Sequence, residues 1–154
     1  MAKVIGIKHL AFGVKDAGQA LELFQRFLGA PSVTLKDLAK AQTLEAHFKL
    51  GGMEFQLCQS VPSDGRFNEF IAGRGGNEGL HHICFEVDNI DEALAEAQAK
   101  GATLKPCRAC KVTGSHKHSE GWVAFLQESA AGIEIEYMQV YKEGEGPDTT
   151  KREM

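Results

Sequence analysis

The sequence predicts an α+β fold made of two βαβββ modules that form a curled, mixed or antiparallel sheet. Three observations carry that expectation. His9-Leu10-Ala11-Phe12-Gly13-Val14 matches His82-Ile83-Cys84-Phe85-Glu86-Val87 in its order of His, apolar, small or polar, Phe, variable and Val, the mark of an internal duplication. Met53-Glu54-Phe55-Gln56-Leu57 stands in the first half where Ile133-Glu134-Ile135-Glu136-Tyr137 stands in the second. Between these strands each half carries apolar residues at helical spacing.

Residues 9–14 and 82–87 alternate as half-buried strands do. An acidic start follows each, at Asp16 or at Asp88 and Asp91. Ala20, Leu21, Phe24, Phe27 and Leu28, and then Ile90, Ala93, Leu94 and Ala97, mark two amphipathic helices. Both are expected to stop at a glycine, Gly29 or Gly101, because glycine takes the left-handed conformation that closes a helix. The first half then has a weak strand near residues 32–37 and a clear one over 43–50; the second has one near 103–110 and one over 122–126. Glycine turns, at Gly51-Gly52 and at Gly132, introduce the last strand of each half. Residues 62–79, rich in glycine, read as a flexible connection interrupted by an apolar stretch at Phe67 and Phe70-Ile71 that fits a helical turn. The chain is thus expected to be one domain over 1–141, with modules 1–61 and 80–141. Residues 142–154, with almost nothing apolar, read as a disordered tail.

The 154 residues are 43% hydrophobic and 25% charged, the composition of an ordinary globular domain rather than a disordered or collagenous chain. A domain of this length buries roughly two-thirds of its unfolded surface, so it needs no disulfide scaffold or structural metal. Any metal is expected to serve chemistry. Seventeen basic against twenty-one acidic residues give a net charge of −4, and without a basic run nucleic acid is not an expected partner. The N-terminus lacks the apolar core of a signal peptide, and no stretch approaches the roughly 18 apolar residues of a membrane span. A cytoplasmic protein with no membrane partner is expected. Cysteines 58, 84, 107 and 110 are too few and too unevenly placed for a secreted framework, and read as reduced thiols.

Strand alternation sorts the side chains by face. One face carries His9, Ala11 and Gly13; His82, Cys84 and Glu86; Glu54, Gln56 and Cys58; and Glu134, Glu136 and Met138. The opposite faces carry Leu10, Phe12, Val14, Ile83, Phe85, Val87, Phe55, Leu57, Ile133, Ile135 and Tyr137, which can pack under the helices. A curled sheet would line a concavity with the polar face, and corresponding places in the two repeats would bring His9, Gln56, His82 and Glu136 together. Two imidazoles, an amide oxygen and a carboxylate suit a divalent first-row metal with open positions for substrate.

Paired modules with His in the first strand and Gln or Glu in the last resemble the vicinal oxygen chelate superfamily, which includes glyoxalase I, extradiol dioxygenases, bleomycin-resistance proteins and methylmalonyl-CoA epimerase. The resemblance covers about residues 7–140. Within it, Gly79-Leu80-His81-His82-Ile83-Cys84-Phe85-Glu86-Val87-Asp88-Asn89-Ile90, Gly121-Trp122-Val123-Ala124-Phe125-Leu126 and Gly132-Ile133-Glu134-Ile135-Glu136 are most similar to the methylmalonyl-CoA epimerases. The resemblance implies a glyoxalase-like fold and one divalent metal per chain (cobalt, manganese, zinc, nickel or iron) held by His9, Gln56, His82 and Glu136. It also places Glu45 where some of these epimerases have a carboxylate implicated in proton transfer. Two departures stand out. Gln127-Glu128 replaces a family His-Pro, and the family's short glycine-rich loop is longer here and carries His116 and His118.

Each candidate has a plainer reading. A single histidine at a strand start is explained by a hydrogen bond; the repeat equivalence of His9 with His82, and of Gln56 with Glu136, favours the metal site. His81 should point away from its neighbour and read as structural or supporting. Glu54 and Glu134, one pleat from the ligands, read as solvated or salt-bridged, and Glu45 is either a base or a solvated strand residue. Cys107-Arg108-Ala109-Cys110 followed by His116 and His118 superficially resembles a zinc knuckle, but a lone CxxC is weak and histidines this close lack the usual ligand separation. Nothing places the pair at a helix N-terminus, where a redox role would gain thiolate character.

The expected activity is an isomerase: a metal-dependent epimerase that removes and returns a proton at the alpha carbon of an acyl-CoA thioester, with Glu45 and Glu136 as catalytic carboxylates and the metal stabilising the enolate. A glyoxalase I-type lactoylglutathione lyase and a dioxygenase are alternatives on the same fold. A metal-free resistance-type binder is the alternative from another class, and retention of all four ligand-type residues argues against it. Exposed strand edges and the resemblance together predict a homodimer.

Overall fold

The structure is a computed structural model that describes residues 1–147. It is α+β, and the described chain divides into two compact units, His9–His82 and Met1–Lys8 with residues 83–147. The first repeat runs β1 (Val4–Gly13), α1 (Ala17–Leu28), β2 (Lys36–Leu38), β3 (Thr43–Leu50) and β4 (Met53–Ser60). The second runs β5 (Gly79–Val87), α3 (Ile90–Ala99), β6 (Leu104–Lys105), β7 (His116–Lys117), β8 (Gly121–Ala130) and β9 (Ile133–Val140), with α2 (Arg66–Ala72) before it. No helix among the described residues is long and apolar enough to cross a membrane.

In the unit of residues 9–82 the strand order is β2-β3-β4-β1. β2 and β4 pair antiparallel with β3, while β1 runs parallel to β4, so the sheet is mixed. α1 starts where the Asp16 carboxylate accepts the Gln19 N–H at 2.9 Å and stops at Gly29, whose φ is 71°. Its apolar stripe, with Ala17 and Leu21 buried, packs on Val14, Ala46, Phe48 and Leu57. Phe12, Phe55 and Phe48 stack across β1, β4 and β3 with ring centroids 5.6 to 5.9 Å apart. Phe12 and Phe55 are among the residues that alternation assigns to the face under the helix, and Phe48 joins them from β3.

The connection after β4 holds more structure than a helical turn. α2 lacks a capping side chain at Gly65, and Ser60 supplies one from the end of β4: its hydroxyl oxygen accepts the N–H of Phe67 at 2.9 Å and of Asn68 at 3.2 Å. Phe67, 2% exposed, then packs on Ala11 and Cys58. A Cβ at Gly13 would lie 2.8 Å from the Phe70 ring and 3.4 Å from that of Phe67, so the helix sits directly on β1 where β1 has no side chain. The alternating polar face of β1 is therefore partly roofed by α2.

In the other unit β9 lies between β5 and β8, β6 follows β8, and the short β7 also pairs with β8. Val87, Ile90, Leu94, Ala124 and Leu126 form its core. The cap of α3 is Asn89, which accepts the Glu92 N–H at 3.0 Å; Asp88 instead accepts the Lys3 N–H at 2.8 Å. The strand expected near 103–110 is only two residues long, because the chain turns back through residues 107–112. The substituted Gln127-Glu128 has a local structural use, since Glu128 accepts the Thr103 N–H at 2.8 Å and Gln127 donates its N–H to the Thr103 carbonyl at 2.7 Å. Of the expected tail, residues 148–154 lie outside the described residues; Lys142 and Glu145 close a turn through two hydrogen bonds.

Candidate active site

Within residues 9–82 the register sets two rows of side chains across three strands. His47 of β3 stands opposite Gln56 of β4, which is beside Ala11 of β1; Glu45 stands opposite Cys58, which is beside Gly13. Paired residues share a face, so Glu45, His47 and Gln56 lie on one side of the sheet, together with Ala11 and Cys58. Alternation along β1 puts His9 on that side too. His9 is 8% exposed and its ring meets that of His82 edge-on, with centroids 5.5 Å apart. Three of the four sequence-predicted metal ligands, His9, Gln56 and His82, thus belong to this unit.

Alternation does not separate His81 from His82 as expected. Their Nδ1 atoms are within hydrogen-bond distance, and His81 is held edge-on by Phe67 and Phe70 at 4.8 and 5.0 Å. The helix that roofs β1 also fixes this imidazole. A ring nitrogen engaged in this way sets the tautomer of its partner. With His82 donating from Nδ1, its Nε2 is the lone-pair nitrogen a metal requires.

Glu45 is buried, at 8% exposed. Burial raises its carboxyl above the usual range, and the charges of His47, His9 and Lys36 work against that rise. His47 lies between two carboxylates, with Nδ1 3.7 Å from Glu45 and Nε2 3.2 Å from Glu54. The sequence gives no prominence to His47, although its place two residues after Glu45 on a strand puts it on the same face. Glu54 is hydrogen-bonded to the His47 ring, and Glu134 is salt-bridged to Lys105 at 3.0 Å.

In the other unit, Glu136 on β9 is 4% exposed and stands opposite Phe125 of β8. Cys84, fully buried on β5, is its neighbour: burial pushes the thiol well up, and the Glu136 carboxylate adds to the rise. Cys84 is therefore a neutral S–H beside a carboxylate. Two buried imidazoles whose rings meet, His9 and His82, are donors of the type a divalent ion accepts.

The profile of the Glyoxalase/Bleomycin resistance protein/Dioxygenase superfamily matches residues 8–119. The mitochondrial methylmalonyl-CoA epimerase of Mus musculus is 28% identical over 94 residues, 61% of this chain and 52% of that protein. The chain spans about half the length of the curated relatives it matches. Methylmalonyl-CoA epimerase from Mycobacterium tuberculosis has the same fold, with a TM-score of 0.71 at 19% identity over 90% of both chains. That of Streptomyces coelicolor, solved in complex with 2-nitronate-propionyl-CoA, gives a TM-score of 0.70 at 19% identity over 91% of this chain and 100% of the other.

Proposed function

We propose that this chain, which belongs to the glyoxalase/bleomycin resistance protein/dioxygenase superfamily, is a divalent-metal-dependent epimerase of a methylmalonyl-type acyl-CoA thioester. The observation that carries the reading is Glu45. A buried carboxylate with a raised pKa, on the same sheet face as Gln56, has the properties of a base that takes a proton from carbon. The similarity to methylmalonyl-CoA epimerases supports the substrate class.

His9, Gln56 and His82 would hold the metal, with Glu136 as fourth ligand by the resemblance. When bound, the ion supplies positive charge to an enolate oxygen. Glu45 takes the proton beside the thioester carbonyl, and burial helps because a desolvated carboxylate is a stronger base. His47, in reach of both Glu45 and Glu54, offers that proton a route towards solvent. Glu136 is the second carboxylate, and it would return a proton to the opposite face only after taking one up from solvent, which balances the proton that leaves through Glu45. The reading carries with it a homodimer, which sedimentation at micromolar concentration checks.

Solvent deuterium incorporation into methylmalonyl-CoA, followed by NMR alongside metal analysis, tests the function. Incorporation at the alpha carbon that tracks metal content is the expected result. Turnover of a glutathione hemithioacetal without any exchange into the thioester would replace the epimerase by a lyase.

A further inference from the structure

The residues between β6 and β8 bring together four side chains for which the proposed epimerisation has no use. Cys107, Cys110, His116 and His118 offer ligand atoms that all lie within 4.8 Å of one another, inside the compact unit that contains residues 83–147. Cys107, His116 and His118 are buried, at 1%, 6% and 6% exposed. We propose that these four residues form a closed, tetrahedral zinc site that ties the 107–118 segment together.

The geometry matches the ion. With bonds of about 2.3 Å to sulfur and about 2.05 Å to nitrogen, a tetrahedral zinc sets its sulfur–nitrogen edges at about 3.6 Å. The Cys107 Sγ to His118 Nε2 distance is 3.6 Å. His116 donates from Nδ1 to the Gly114 carbonyl at 2.8 Å, and this fixes Nε2 as its lone-pair nitrogen. That Nε2 is buried, and the group it faces is the Cys107 thiol. A backbone carbonyl on the far nitrogen is the usual way a metal-ligating imidazole is oriented. Both arms of the site are also fixed through the backbone. Cys107 N–H donates to Val112 at 2.8 Å and Lys111 N–H to Cys107 at 2.9 Å, closing the loop that carries both cysteines. His118 donates its N–H to Gly121 at 2.9 Å and accepts the Tyr141 hydroxyl on its carbonyl.

The spacing that weakens the zinc reading in the sequence is usable here because His116 opens the extended segment β7 and His118 follows directly after its end, and extended backbone turns residues i and i+2 to the same side. β7 begins at His116, its residues pair with Val123 and Trp122 of β8, and the intervening Lys117 is more exposed than either histidine. Two thiolates and two imidazoles form a closed set of soft and borderline donors that leaves no position for substrate, so the site is structural. The ion would add a cross-link to a segment framed by a two-residue β6 and a two-residue β7.

The test uses the full chain, reduced with a phosphine and titrated anaerobically with cobalt(II) as the probe. The expected result is thiolate-to-cobalt charge-transfer absorption together with the strong visible bands of a tetrahedral ion, saturating at one equivalent and displaced by zinc. Cys107→Ser with Cys110→Ser should remove the bands and one equivalent of metal. Cys58→Ser, Cys84→Ser and the pair His9→Ala, His82→Ala should keep the bands, which separates this site from the proposed catalytic metal. His118→Cys should also retain them. Bands that survive the Cys107/Cys110 double variant, or a wild-type protein that gives none when fully reduced, overturn the proposal. So does a Cys107–Cys110 disulfide that leaves no cobalt site on reduction. The wild-type titration decides the matter even if the variants fail to fold.

Discussion

The Nδ1 atoms of His81 and His82 lie 2.7 Å apart, so one imidazole gives its proton to the other. If His82 is to ligate through Nε2, His82 is the donor and His81 the acceptor, with the His81 proton on Nε2. His81 then acts on the metal through its neighbour, as a positioning residue. His81→Phe keeps the aromatic contact with Phe67 and Phe70 and removes the acceptor. We expect unchanged circular dichroism with metal affinity at the His9–His82 site weakened about 10- to 100-fold, read by manganese titration calorimetry. Unchanged affinity would reduce the pair to packing.

Glu45→Gln should slow exchange at the substrate alpha carbon by about a hundredfold to ten-thousandfold without changing metal content, and Glu136→Gln should lower both. Glu136 corresponds to Gln56 in the duplication, whereas Glu45 has no carboxylate counterpart at Val123 or Phe125. A loss below about threefold for Glu45→Gln would make that carboxylate a bystander and favour an isomerase with one base. Deuterium exchange and metal analysis on the same samples settle the split.

The raised pKa of Glu45 also sets a sign for stability. A carboxyl whose folded pKa exceeds its unfolded value favours folding below the unfolded pKa, and that contribution is lost as pH rises through the folded one. Above its folded pKa the ionised, buried Glu45 is therefore a cost. With chelator in both samples, Glu45→Gln should melt at a higher temperature than the parent at pH 7, and the gain should vanish in acid below the ordinary carboxylate pKa. His47 opposes the rise in Glu45, so His47→Ala should move the acid limb of the rate profile to higher pH. A limb that stays in place would assign it to another group.

The duplication exposes most of the framework to a reader of the sequence. β3 and β4, both helix stops and the glycine turns follow from alternation and from residue types that tolerate one backbone conformation. The miscast parts are those where the two repeats differ. α2 looks like a glycine-rich linker because its cap, Ser60, lies outside it on β4. The neighbourhood of His81 and His82 escapes a strict alternation rule because the helix packed on the sheet holds the His81 ring. The course of residues 107–118 is hidden for another reason: β6 and β7 are two residues each, and the chain between them is closed by backbone bonds such as Cys107 N–H to Val112, which no periodicity announces.

The contact between α2 and β1 can also be read in terms of mutational history. Gly13 has a strand conformation open to any residue, so what forbids a side chain there is the Phe70 ring 2.8 Å from a would-be Cβ. Gly13→Ala should cost about 1 to 3 kcal/mol, measured by denaturant unfolding, and Phe70→Leu introduced with it should recover part of the loss. Positions 13 and 70 are thus bound as a pair across 57 residues of chain. Lineages that enlarge one should shrink the other, and the two substitutions should be found together far more often than either alone.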